Sequence, residues 1–212
     1  MLRQQSWRLL FMLAASIFIL QGCTGTGLEG EIKDGLEAVS SEESKVSERQ
    51  LSLMKLEEKE KSLYDRIVGL GMDDYDKIVQ LSDEAQKNIR SRTSEIQKEN
   101  EALQKSRDEF KKIKKSLSKW EDKDKANKLA SIMVDRYKAH DRLFAYYKDS
   151  LKADKELYTM FKDKNLDYET LQDQIDKINV LYGKVRQENN RFNKLTAEYD
   201  NQKNSLLETM DK

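Results

Sequence analysis

The sequence of 212 residues predicts an all-α fold, an elongated antiparallel bundle of about four long coiled-coil-like helices behind an N-terminal leader. Three observations predict it. No proline occurs in the chain, and proline is the residue that helix interiors exclude most strongly. Apolar residues make up 37% of the chain and charged residues another 37%, against about 45–50% and roughly 25% in an ordinary globular domain. Only thin seams can therefore be buried, and apolar residues recur at the three- and four-residue steps that place a seam on one helix face. A sandwich, a barrel or a doubly wound sheet would need turn residues at many corners, and these are missing. A single cysteine excludes a disulfide framework. The charges balance, 39 basic against 39 acidic.

The leader comes first. Residues 1–8 carry Arg3 and Arg8 and no acid, and residues 9–20 (LLFMLAASIFIL) hold only Ser16 as a polar residue. Such a run is too short to span about 30 Å of hydrocarbon but suits the apolar region of a signal peptide. Leu20-Gln21-Gly22-Cys23 then sets the lone cysteine directly after a small residue. This resembles the lipobox of bacterial lipoproteins. The resemblance implies a lipoprotein signal peptide over 1–22, cleavage between Gly22 and Cys23, and a diacylglyceryl thioether on Cys23. Two acyl chains suffice for stable anchoring where one is marginal, which would hold the chain at the outer face of the cytoplasmic membrane. An ordinary secretory signal with an incidental cysteine is the alternative.

Glycine marks the boundaries beyond the leader. Residues 23–30, with the run TGTGLEG, read as the lipidated cysteine and a flexible tether, and 31–212 as the helical domain. Residues 24–48 carry seven acids against Lys33 and Lys45, so an anionic surface should repel them. Helices are expected near 30–68, 74–120, 125–162 and 168–210; helices of about 40–45 residues are roughly 60–65 Å long. The first has the weakest seam, with Glu43 and Gln50 at seam positions. Gly69-Leu70-Gly71 is the strongest turn signal, and Asp73 offers an N-cap after it. The second helix steps from Tyr75 through Ile78, Ser82, Ala85, Ile89, Arg92, Ile96, Glu99, Leu103, Ser106, Phe110, Ile113 and Leu117 to Trp120. In residues 121–128 (EDKDKANK) only Ala126 is apolar and the phase slips by a residue, so a turn and a continuous rod both remain open. The third seam runs Ala130, Met133, Tyr137, His140, Phe144, Tyr147, Leu151, Asp154, Tyr158, Phe161. Asp167 is a candidate cap for the fourth, whose seam starts at Tyr168 and continues through Tyr182, Phe192 and Tyr199.

Three stretches are similar to a known family. Residues 56–86 (LEEKEKSLYDRIVGLGMDDYDKIVQLSDEAQ), 136–161 (RYKAHDRLFAYYKDSLKADKELYTMF) and 176–194 (DKINVLYGKVRQENNRFNK) resemble the YkyA-like lipoproteins of Bacillus and its relatives, a family labelled cell-wall-binding. Together with the lipobox the resemblance covers essentially the whole mature chain. It carries over no catalytic or ligand residue besides the lipidated Cys23.

Chemical sites find little support. His140 sits at a seam position with Asp154 two heptads on, roughly 21 Å along the same helix and out of reach. A helical di-iron site needs paired Glu-x-x-His motifs, and Tyr137 stands where the glutamate should be. No HExxH, EF-hand, Walker or G-x-S-x-G pattern occurs. Neither catalysis, nor a metal, nor a cofactor is expected. The tyrosines at 137, 147, 158, 168, 182 and 199 read as core residues with their hydroxyls reaching the rim. One charge feature rises above the background. In 104–119 (QKSRDEFKKIKKSLSK), Lys105, Arg107, Lys111, Lys112, Lys114, Lys115 and Lys119 face only Asp108 and Glu109. Such a patch could contact an anionic polymer such as teichoic acid, or be a solvated face compensated by acids elsewhere in the bundle.

The sequence thus points to a lipid-anchored, non-enzymatic envelope protein that engages the cell wall, through peptidoglycan or teichoic acid. The alternative is a coiled-coil adaptor for another envelope protein. No nucleic-acid partner is expected.

Overall fold

The computed structural model describes residues 27–210 and, among them, an all-α fold with no strand. The leader, with Gly22 and Cys23, lies outside the described residues. The four long helices are α1 (Leu28–Val68), α2 (Tyr75–Leu117), α3 (Lys123–Met160) and α4 (Tyr168–Met210). α1 begins at Leu28, within the stretch expected as tether. The first turn is tighter than a simple cap. Leu70 donates its N–H to the Ile67 carbonyl, and a short 3-10 helix (Met72–Asp74) occupies the place expected for the Asp73 cap. The second connection is a turn, which decides against the continuous rod: α2 ends at Leu117, and Asp122 Oδ1 caps α3 by accepting from Lys125 N at 3.1 Å. Asp167 caps α4, accepting from Thr170 N at 2.8 Å.

The helices contribute to two compact units, each containing a stretch of all four. The first comprises Arg49–Lys98 and Leu143–Gln187; the second comprises 27–48, 99–142 and 188–210. In the first, the 3–4 ladder of α2 buries Ile78, Ala85, Ile89 and Ile96 against Leu53, Leu63 and Ile67 of α1, Tyr147 and Leu151 of α3, and Val185 of α4. In the second, Ile32, Leu36 and Val39 meet Leu103, Phe110, Ile113 and Leu117, with Met133, Tyr137, Phe192, Tyr199 and Leu206. Helix stripes this polar are not stable alone, and burial against three neighbours supplies what propensity does not. α1 and α2 approach closely at Gly35, where an added Cβ would overlap Ile113 Cγ2. Tyr168 departs from its expected place at a seam, since it is 77% exposed in the first turn of α4.

Candidate functional site

The basic segment of α2 lies in the second unit, on the outward side of a helix whose inward side buries Leu103, Phe110, Ile113 and Leu117. Lysines at 105, 111, 112, 114, 115 and 119 are all exposed. Their pairings divide the segment. Arg107 is half-buried, donates to Asp141 Oδ1 at 2.7 Å and lies over the Tyr137 ring at 5.0 Å. Lys111 pairs with Asp108 at 2.8 Å and Lys112 with Glu109 at 2.7 Å, both one turn back on α2. Among the described residues, no carboxylate reaches ion-pair distance of Lys105, Lys114, Lys115 or Lys119. The end of α2 is also fixed against the start of α1. Ser116 Oγ donates to Glu31 Oε2 at 2.6 Å, and Leu28 and Trp120 pack on the same apolar cluster.

Titratable groups inside the two units gather on arginines. In the first unit, fully buried Arg92 donates to Glu60, to Glu57 at 3.4 Å, to Asp154 at 3.5 Å and to the hydroxyls of Tyr147 at 2.9 Å and Tyr182 at 3.0 Å. Tyr147 in turn donates to Glu57 at 2.7 Å and Tyr182 to Asp154 at 2.6 Å. Burial opposes the Arg92 charge, yet the two tyrosines and the glutamates hold its pKa well above the ordinary value. One guanidinium cannot neutralise three carboxylates. Burial, with the charge of Glu60 adding to it and Arg92 opposing, pushes Asp154 up to about 8, and burial likewise raises Glu57.

The second unit repeats the device with Arg136. It donates to Glu43 at 2.5 Å and to Thr196 Oγ1 at 2.8 Å, and lies 4.8 Å from the Phe192 ring centre and 5.6 Å from that of Tyr199. Glu43 also accepts from Ser106, which bonds the Tyr137 hydroxyl at 2.9 Å. The buried tyrosine hydroxyls therefore do not all reach the rim as expected: Tyr137, Tyr147 and Tyr182 turn theirs inward to polar groups.

His140 belongs to the second unit and Asp154 to the first. His140 Nε2 lies 3.5 Å from Glu99 Oε1, and its ring leans on Phe192 at 5.6 Å. Among the described residues no group of three or more His, Cys, Asp or Glu is placed to hold a metal ion. An open groove of about 400 Å³ between α1 and α2 of the first unit is lined by Ser52, Lys55, Leu56, Ser91, Ser94 and Glu95. Glu95 there is half-buried and is held below its usual range by the ammonium of Lys98 and by Arg49.

The match that decides the family runs over residues 28–209, to a family model described as "YkyA: Putative cell-wall binding lipoprotein". The chain belongs to the YkyA family. A YkyA relative from Bacillus subtilis (strain 168), named an uncharacterized lipoprotein, is 36% identical over 197 residues, 92% of this chain and 88% of that protein. The fold is shared with a conserved protein of unknown function from Staphylococcus aureus, known from a 1.6 Å crystal structure. That likeness has a TM-score of 0.71 and 19% identity, and covers 88% of this chain and 97% of the other. Among the described residues of this YkyA member, no helix is long and apolar enough to cross a membrane.

Proposed function

We infer that this protein is a non-enzymatic, cell-wall-binding lipoprotein, held at the outer face of the cytoplasmic membrane by a diacylglyceryl group on Cys23. The observation that carries this reading is the family match over 28–209, joined to the sequence Leu20-Gln21-Gly22-Cys23 behind an apolar leader. The strongly perturbed acids support the non-enzymatic part. Asp154 is buried against Arg92 and the Tyr182 hydroxyl, where no substrate could meet it, and half-buried Glu57 is taken up by Arg92 and the Tyr147 hydroxyl. Three of the seven cations in 104–119 are already paired, so an electrostatic wall contact has fewer free charges than the sequence count suggests.

The test is a pull-down of the full-length lipidated protein, solubilised in mild detergent, on purified sacculi with and without teichoic acids. Retention on both preparations is expected for peptidoglycan binding, and retention only on the teichoic-acid-bearing one for polymer binding. Failure to bind either, with capture of one envelope protein by cross-linking in cells, would replace wall binding by the adaptor role.

A further inference from the structure

The geometry points to a membrane-apposed surface: we propose that the lysine face at the end of α2, formed by Lys114, Lys115 and Lys119, lies against the anionic phosphate headgroups of the bilayer that anchors Cys23. This inference rests on the lipid-anchor reading of Cys23. Chain length sets the first constraint. Cys23 precedes Leu28 by five residues, and a fully extended chain gains at most about 3.6 Å per residue, so roughly 18 Å separates them at most. α1 therefore starts close to the headgroups, and whatever packs beside its first turn is brought there too.

What packs there is the end of α2. The antiparallel contacts Gly35 with Ile113 and Glu31 with Ser116 advance by matching steps toward the start of α1, which sets Leu28 level with Lys119 and Trp120. The three lysines flank Ser116, are exposed, and have no carboxylate at ion-pair distance among the described residues. Of the acids that begin α1, Glu29 pairs with Lys33 at 2.7 Å, while Glu31 accepts from Ser116 and keeps its charge, set against the three lysines of α2 and the turn after it. Asp122 is taken up by its cap to Lys125. Asp34, Glu121, Asp124 and Glu208 are exposed on α1, the turn, α3 and α4, and Lys123 is exposed at the start of α3, so the lysines that cluster without acids between them are those at the end of α2. Headgroup phosphates act within about a Debye length, roughly 8–10 Å. That reach takes in the last turn of α2 and excludes Lys105, which stands about 16 Å higher along the helix than Ser116. Teichoic acid offers the same phosphate chemistry, but the short tether favours the bilayer as the nearer source.

The mature chain carries its own reporter, since Trp7 leaves with the leader and Trp120 is then the sole tryptophan. The lipidated protein is reconstituted into vesicles of phosphatidylglycerol or of phosphatidylcholine, each with a trace of headgroup-nitroxide lipid, and Trp120 emission is read. About two-fold stronger quenching is expected on phosphatidylglycerol, relieved between about 50 and 500 mM salt and abolished in the combined K114Q, K115Q, K119Q variant. These residues are exposed, so the variant should keep its far-ultraviolet circular dichroism. Equal quenching on both lipids, or an unchanged variant, overturns the proposal. So does a variant that loses teichoic-acid binding while its vesicle quenching stays as in the parent, which would give the lysines to the wall polymer. Mass spectrometry of the same sample separates the two readings. Absence of the lipid mass on Cys23 brings down the anchor and this surface with it, whereas a lipidated chain with unquenched Trp120 brings down only the surface.

Discussion

At Arg92 the interior sets one guanidinium against Glu57, Glu60 and Asp154, and the imbalance should make stability depend on pH. Asp154 binds its proton more tightly in the folded chain, with a pKa near 8 against an ordinary 3.8. Its contribution is therefore fully present below about pH 4 and is lost as pH rises through about 8, and the raised Glu57 acts in the same direction. Asp154→Asn stays neutral throughout and still offers an oxygen to the Tyr182 hydroxyl. Its melting temperature should fall less between about pH 5 and pH 8 than the parent's, and a parallel fall would assign the titration to another group. Arg92→Ala should cost about 3–5 kcal/mol near neutral pH, because it leaves buried carboxylates without their cation. Denaturant unfolding measures that loss. Gly35 pits two effects against each other. Alanine is the better helix former by about 1 kcal/mol, but its Cβ would overlap Ile113 Cγ2, and overpacking costs about 1–3 kcal/mol. Gly35→Ala should therefore destabilise, and Ile113→Ala in the same chain should recover part of the loss in a double-mutant cycle.

Among the elements, α2 shows how far periodicity reaches. Its ladder from Ile78 to Leu117 is buried at every step, and Phe110 sits 6.4 Å edge-on from Tyr137 in the second unit. Phe110→Asp should cost on the order of 3–5 kcal/mol through an unpaired buried charge. Unchanged melting would mean that this position does not face a core. The cap at Asp167 is worth less: Asp167→Ala should lower stability by about 1 kcal/mol, seen as earlier hydrogen exchange in the first turn of α4. The polar rungs Arg92, Glu43, His140 and Asp154 are visible in the sequence as polar residues at seam positions, but their partners are not. Pairing Glu43 with Arg136, or Asp154 with Arg92, depends on how one helix is aligned beside another, which the period of a single helix does not encode. Gly35 is hidden for the same reason, because a close approach is a distance between helices. Tyr168 marks the opposite error, where the period continues into a first turn whose side chains face solvent. In the basic segment, counting charges along the chain finds the lysines but cannot see Arg107 meeting Asp141 across to α3.

For the whole molecule, an anchor on Cys23 would govern where every one of these surfaces operates. Cys23 is the only thiol in the chain, so no other side chain can accept a diacylglyceryl group by thioether chemistry. Cys23→Ala should give a longer protein that retains residues 1–22, because processing of a lipoprotein leader follows lipidation. It should take up no labelled fatty acid. The retained apolar run of 9–20 is short for a span of about 30 Å, so the variant should also be more easily extracted from membranes by alkaline wash than a parent held by two acyl chains. Metabolic labelling with a radioactive fatty acid, gel mobility and the alkaline wash read these three outcomes from one culture. A labelled Cys23→Ala protein would move the acyl group to another residue. An unlabelled but normally shortened one would replace the lipoprotein leader by an ordinary cleaved signal, and the domain of 28–210 would then reach the wall without a tether to the bilayer.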